Sequence, residues 1–123
     1  MIAFKYRFHG HGSLKYVYRN GQALRTHLVT LKYIHNPHRK QPRFAVVISK
    51  KVLKSAVGRN RIRRRTYEIL RSFTGTDFPS YDIVFIVSSS EIINLSSTEM
   101  KALVHDLITQ ATSYTLRAEN DII

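Results

Sequence analysis

The chain contains no cysteine and no tryptophan, and only 8 acidic residues stand against 20 Lys and Arg in its 123 positions. Without cysteine there are no disulfides, no thiolate zinc sites and no thiol nucleophile, a composition compatible with a reducing cytosol. No apolar run approaches the roughly 20 residues that span a bilayer, and the opening MIAFKYRFHGHG lacks the apolar centre of a signal peptide. A soluble, cytoplasmic protein is expected. The few acids are scattered. Glu68 stands alone in the basic half, and Asp77, Asp82 and Glu91 border a later strand, so the clustered carboxylates of a metal-dependent nuclease are missing. His9 and His11 could share one face of a strand, but two ligands with no carboxylate or thiolate beside them are too few for a metal site. No catalytic and no metal-ligating residue is assigned. Neither a Walker-type glycine loop nor a nucleophile elbow occurs.

What is present is positive charge, unevenly placed. Residues 1–76 carry 18 basic residues against 1 acidic, and residues 77–123 carry 2 against 7. Nine of the twenty cations fall between Lys50 and Arg71, in KKVLKSAVGRNRIRRRTYEILR. Such asymmetry, with an isoelectric point near 10.4, points to a polyanionic partner, a nucleic acid or an anionic membrane surface. The basic segment lacks the broad Trp/Phe/Leu face of an interfacial helix, which favours nucleic acid. Val57, Ile62, Ile69, Leu70 and Phe73 recur among the charges at helical spacing, so the run is a folded helix.

At 43% apolar and 123 residues the chain can bury one core, and a single domain over residues 1–123 is expected. Ser13 is positioned to cap a short helix through Leu14, Val17 and Tyr18 that Asn20-Gly21 would end with a left-handed residue. From Leu24 to Ile34 the residues alternate, with Leu28, Thr30 and Lys32 on one face and Val29, Leu31 and Tyr33 on the other, the pattern of a strand with one wet face. After the proline-containing loop HNPHRKQPR comes an apolar strand, Arg43–Ser49, and the simplest pairing joins these two strands as an antiparallel hairpin. The basic helix spans about Ser55 to Phe73, and a Gly/Thr/Pro/Ser turn over Thr74–Ser80 ends it. YDIVFIVS is apolar on both alternating faces, as in a central strand. Ser96-x-x-Glu99 is a capping box before the stripe Met100, Leu103, Val104, Leu107, Ile108 and Ala111. The closing RAENDII reads as a loose tail. The order α-β-β-α-β-α describes an α+β two-layer sandwich of helices on a small mixed sheet.

At about 100° per residue, Gly58, Ile62, Thr66, Ile69 and Phe73 face the sheet, Arg59, Arg63 and Tyr67 share another side, and Asn60, Arg61, Arg64 and Arg65 spread between. Five Arg in seven residues, near one acid, repel one another without compensation, which marks a binding surface. Guanidinium forks contact phosphates bidentately, and Asn60 can bond a base edge or a sugar. Lys50, Lys51 and Lys54 precede the helix, whose N-terminus also favours anions. Aromatic platforms beside cations hold unstacked single strands, and Tyr16, Tyr18, Arg25, Lys32 and Tyr33 supply both kinds of group, although Tyr33 lies on the apolar face and reads as core.

Ser49-Lys50-Lys51, Ala56-Val57, Arg59-Asn60-Arg61-Ile62-Arg63-Arg64 and Tyr67-Glu68 together resemble the signature of the protein subunit of bacterial ribonuclease P. The likeness extends to the first helix (Leu14, Val17, Tyr18, Gly21), to Asp82-Ile83-Val84 and to Leu95–Ile108. Leu14 stands where the family often has Phe, which suggests a core role there, and Leu53-Lys54-Ser55 makes the turn before the helix one residue longer. The resemblance implies a fold like the second domain of ribosomal protein S5, with a left-handed βαβ crossover, although right-handed crossovers are the general rule. It implies a large partner RNA, ribonuclease P RNA, that hydrolyses precursor tRNA with Mg²⁺ bound mainly by the RNA. It further implies that Arg59, Asn60, Arg61, Arg63 and Arg64 meet that RNA, and that a cleft including Tyr18, Thr30 and Lys32 takes the 5′ leader. Charge adds Lys50, Lys51, Lys54 and Arg65 to the first group and Arg25 to the second. No membrane and no obligate protein partner is expected. The alternatives are a non-enzymatic ribosomal-type RNA-binding protein and a nuclease that uses its own histidines.

Overall fold

A computed structural model describes residues 4–8, 11–74 and 78–113. After a 3-10 turn at Phe4–Tyr6 the elements are α1 (His11–Asn20), β1 (Gln22–Arg25), β2 (Val29–His35), β3 (Arg43–Val47), α2 (Ala56–Leu70), β4 (Tyr81–Val87) and α3 (Ser97–Thr112), with further 3-10 turns at Arg71–Phe73 and Ser90–Asn94. The strands form one mixed sheet in the order β1-β2-β4-β3, and the α+β class is as expected. The predicted tail at residues 117–123, Gly75 in the predicted turn, His9 and the His11 side chain lie outside the described residues.

Two details of the sheet differ from the sequence expectation. The stretch from Leu24 to Ile34 is a hairpin of two strands, β1 and β2, because Thr26 closes a turn within it. The Thr26 backbone N–H and hydroxyl both donate to the Val29 carbonyl (2.9 and 2.7 Å), and the hydroxyl accepts from the Val29 N–H at 3.0 Å. The expected hairpin between β2 and β3 does not form. β4 inserts between them, antiparallel to β2 from Val29↔Val87 to His35↔Tyr81 and parallel to β3 from Arg43↔Asp82 to Val47↔Ile86. β4 is longer than β3 and carries apolar residues on both faces, Ile83, Phe85 and Val87 on one and Val84 and Ile86 on the other, so placing it at the centre of the sheet removes much apolar surface from water.

The main core lies on the face formed by Leu31, Phe44, Val46, Ile83 and Phe85, which α2 covers through Ile62 and Leu70 and α3 through Met100, Val104 and Ile108. α1 crosses the opposite face, where Val17, fully buried, meets Ala45 and Val84 with Leu14 packed alongside. Leu14 is thus a packing residue. α1 begins at His11, before Ser13, so Ser13 is not its cap, and its hydroxyl instead accepts from Arg43 Nη1 at 3.3 Å. Nor does Gly21 take the expected left-handed φ. Its reason is space, since a Cβ there would stand 2.6 Å from the Val17 carbonyl oxygen and 2.9 Å from that of Tyr33.

Helices α2 and α3 start where their caps dictate. Ser55 Oγ accepts from the Gly58 N–H at 3.0 Å. Ser96 Oγ accepts from the Glu99 N–H at 3.1 Å, and the Glu99 carboxylate accepts from the Ser96 N–H at 2.9 Å. The Ser96 backbone N–H, and after it the Ser96 hydroxyl, hydrogen-bond the Glu99 carboxylate and hold it below its ordinary pKa.

Candidate nucleic-acid interface

The link from β3 to α2 is a tight turn in which the Val52 and Leu53 N–H groups both donate to the Ser49 carbonyl at 3.1 Å. It projects Lys50, Lys51 and Lys54 into solvent while Val52 and Leu53 pack against the main core. Arg59 fastens the turn, its Nη1 donating to the carbonyls of Leu53 (2.9 Å) and Lys54 (2.8 Å). Gly58 sits beneath, where a Cβ would reach 3.0 Å from Leu53 Cδ2.

Along α2 the inward residues are Gly58, Ile62, Thr66, Tyr67 and Leu70, with Phe73 beyond. Tyr67 and Leu70 thus join the buried face, and Ile69, expected there, is only half-buried. Tyr67 is drawn in because its hydroxyl accepts from the Val46 N–H at 3.3 Å, satisfying a donor on edge strand β3. Val57, predicted as apolar support for the helix, is 78% exposed. The frame set by Gly58 and Ile62 turns it outward, onto the stripe that Arg61, Arg64 and Glu68 continue at i+4, i+7 and i+11.

The arginines differ in what they are free to touch. Arg65 Nη2 donates to the Leu95 carbonyl at 2.9 Å, tying α2 to the segment before α3. Arg63 Nη1 donates to Asn60 Oδ1 at 2.8 Å, and Arg71 pairs with Glu68 at 2.7 Å. Arg61 and Arg64 are exposed and have no side-chain partner among the described residues. Within the basic segment the exposed cations without a side-chain partner among the described residues are therefore Lys50, Lys51, Lys54, Arg61 and Arg64, along the turn and the outer side of α2. Arg59 and Arg65 hold the scaffold beneath them.

The second predicted group gathers on the sheet face beside α1. Arg25 pairs in register with Thr30, and Lys32 follows two residues on, so all three share a face. Tyr18, on α1, is 38% exposed, and burial of the rest of the ring pushes its phenol pKa up. Tyr33 is buried on the opposite face with the main core, as its position in the alternation required. Ser88 was missed by the sequence reading. It is the next residue of the Val84/Ile86 face beyond β4, and its hydroxyl lies 3.3 Å from that of Thr30. Across the sheet Arg25, Thr30, Ile86 and Val47 form one row, and the lysine-bearing turn leaves from the β3 end of that row. Arg25, Thr30 and the root of the basic strip therefore stand at the same end of the sheet.

Among the described residues no three His, Asp or Glu side chains are grouped as metal ligands, and no helix is long and apolar enough to cross a membrane. The arrangement is suited to binding and positioning a polyanion.

The family model described as Ribonuclease P matches residues 3–112. A ribonuclease P protein component from Synechococcus sp. (strain JA-2-3B'a(2-13)) is 42% identical over 66 residues, 54% of this chain and 49% of that protein, so the chain's match spans about half that relative's length. The ribonuclease P protein component of Synechococcus elongatus is 33% identical over 98 residues, 77% of this chain and 80% of that one. In fold the chain is similar to a Staphylococcus aureus RNase P protein mutant, with a TM-score of 0.78 at 19% identity, over 87% of this chain and 88% of that chain.

Proposed function

Because the chain belongs to the family of ribonuclease P proteins, which its match over residues 3–112 establishes, we propose that it is the protein subunit of a ribonucleoprotein endonuclease that removes the 5′ leader from precursor tRNA in the cytoplasm. The observation that carries this reading is the uncompensated strip of Lys50, Lys51, Lys54, Arg61 and Arg64 on a member of that family. Hydrolysis belongs to the RNA. Mg²⁺ supplies charge stabilisation and an activated water there; the described protein residues offer it no suitable donor cluster, so no step is assigned to a protein-bound ion.

The protein's work is positional. The cations of the strip offset the repulsion that builds up when two RNAs approach, and each phosphate they neutralise releases counterions. Arg59 and Arg65 keep the strip in shape. On the other sheet face, Thr30, Ser88, Lys32 and Arg25 offer hydrogen bonds and charge to a leader backbone, and Tyr18 offers a ring edge for an unstacked base. Holding the leader at one end of the sheet and the large RNA along α2 fixes the distance between them.

The test is reconstitution: purified protein, a bacterial ribonuclease P RNA and precursor tRNA at physiological salt and low millimolar Mg²⁺. Protein-dependent formation of the mature 5′ end, with no cleavage by protein alone, is the expected result. Cleavage by protein alone would return the histidine-based nuclease. Binding without stimulation would make this a ribosomal-type RNA-binding protein.

A further inference from the structure

Helices α2 and α3 enclose a groove of about 550 Å³, within the roughly 300–1,000 Å³ typical of ligand sites. Buried Met100 and half-buried Ile69 line its inner part, and Arg64, Arg65 and Lys101 ring it. The acid that borders it, Glu68, is paired with Arg71, so the rim is electropositive. An apolar slot ringed by cations matches a group that is flat and apolar at one end and anionic at the other. A nucleotide with its base out of the stack is such a group, the base contacting the Met100 thioether and Ile69 while its phosphate meets Arg64 and Lys101.

The position of the groove says which RNA would supply it. Arg64 belongs both to this rim and to the outward strip of α2, so the groove continues the surface assigned to the large RNA. The leader cleft lies on the opposite face of the sheet, beside α1. We propose that the α2–α3 groove binds one unpaired, extruded nucleotide of the large RNA, an inference that rests on the RNA-subunit reading above. The groove would then act as a register pin. The strip contacts phosphates, which repeat along any helix, whereas a single pocketed base sets where along the RNA the protein sits.

The absence of native cysteine allows a direct test in the reconstituted holoenzyme. Ser72→Cys puts one attachment point in the groove, and Val57→Cys puts another on the exposed strip; each carries a short photo-crosslinker. Crosslinks from Ser72→Cys to one or two unpaired nucleotides of the large RNA are expected. Adding Lys101→Glu, an exposed change, should lower their yield about tenfold while the yield from Val57→Cys stays within twofold. Crosslinks to the large RNA from Val57→Cys alone would overturn the pocket and leave the RNA-subunit reading standing. So would crosslinks from Ser72→Cys to paired nucleotides, to the leader or to a second copy of the protein. If neither position reaches the large RNA, the subunit reading itself fails and the pocket with it.

Discussion

Arg59 donates from one guanidinium nitrogen to two carbonyls at 2.9 and 2.8 Å, whereas Arg61, two positions on, faces solvent without a partner among the described residues. Truncating them should therefore read out differently. Arg59→Ala removes two charge-assisted bonds from a half-buried site and should cost roughly 1–3 kcal/mol in thermal or urea unfolding. Arg61→Ala should leave stability within about 0.5 kcal/mol and instead lower the slope of log K against log salt for RNA binding by about one. Equal loss of stability in the two variants would remove the distinction. Nothing in the string RNRIRRR separates these roles, because what distinguishes them is which backbone carbonyls come within reach after the turn folds. Asp82 makes the same point. Buried at 2% exposure, it receives Arg43 at 2.9 and 2.7 Å and Asn36 at 3.1 Å. Asp82→Ala strands the Arg43 cation, itself only 12% exposed at the side chain, and should cost about 3–5 kcal/mol, measurable as a lowered denaturant midpoint. Nothing local along the chain joins Arg43 to Asp82; the parallel pairing of β3 and β4, with these two residues in register, brings them together.

Among the elements, α3 is the one whose start was fully legible, because the capping box is a local, two-way hydrogen-bonded device. It also carries a pH dependence. Glu99 has a folded pKa below its unfolded one, so its contribution is complete above the ordinary glutamate pKa and is lost as pH falls through the lowered folded value. The stability difference between wild type and Glu99→Ala should hold at neutral pH and shrink under acid titration; a difference that grew in acid would contradict the cap. The end of α1 was legible as a position but not as a mechanism. Asn20-Gly21 does close the helix, yet the glycine serves close approach to the carbonyls of Val17 and Tyr33 and adopts no left-handed turn. Backbone oxygens cannot move aside as a side-chain tip can, so Gly21→Ala should destabilise by roughly 1–3 kcal/mol and shift α1 against β2, visible as altered chemical shifts at Val17 and Tyr33. For α2, charge and length were readable, but Val57 and Tyr67 exchanged their expected places. Helical periodicity constrains relative angles, and which angle faces the sheet depends on the packing of Gly58 against Leu53 and on an edge-strand donor that a hydroxyl can satisfy.

For the whole molecule, the two proposed binding faces lie on opposite sides of the sheet, one beside α1 and the other on the outer side of α2, and their functions should come apart. Lys32→Ala with Thr30→Val should raise KM for precursor tRNA bearing a leader about three- to tenfold, while affinity for the large RNA stays within twofold; a joint loss of both would mean that the faces are not independent. Composition and spacing by themselves determined that this chain is basic in its first 76 residues, that the charge rides on a helix, that a doubly apolar strand lies inside a sheet, and that a capped amphipathic helix covers it. Those are properties of neighbours along the chain, set by periodicity, side-chain chemistry and charge repulsion. Strand order, the hairpin at Thr26, the α2–α3 groove, the partition of the arginines into clasps and free cations, and the sharing of one sheet row by Arg25, Thr30 and the root of the lysine turn were decided only in the tertiary structure. The Thr26 turn and the Arg59 clasp close over only three to six positions, but strand order, the groove and the shared row bring together residues tens of positions apart, and their competition is settled by which arrangement buries the most apolar surface with backbone donors satisfied.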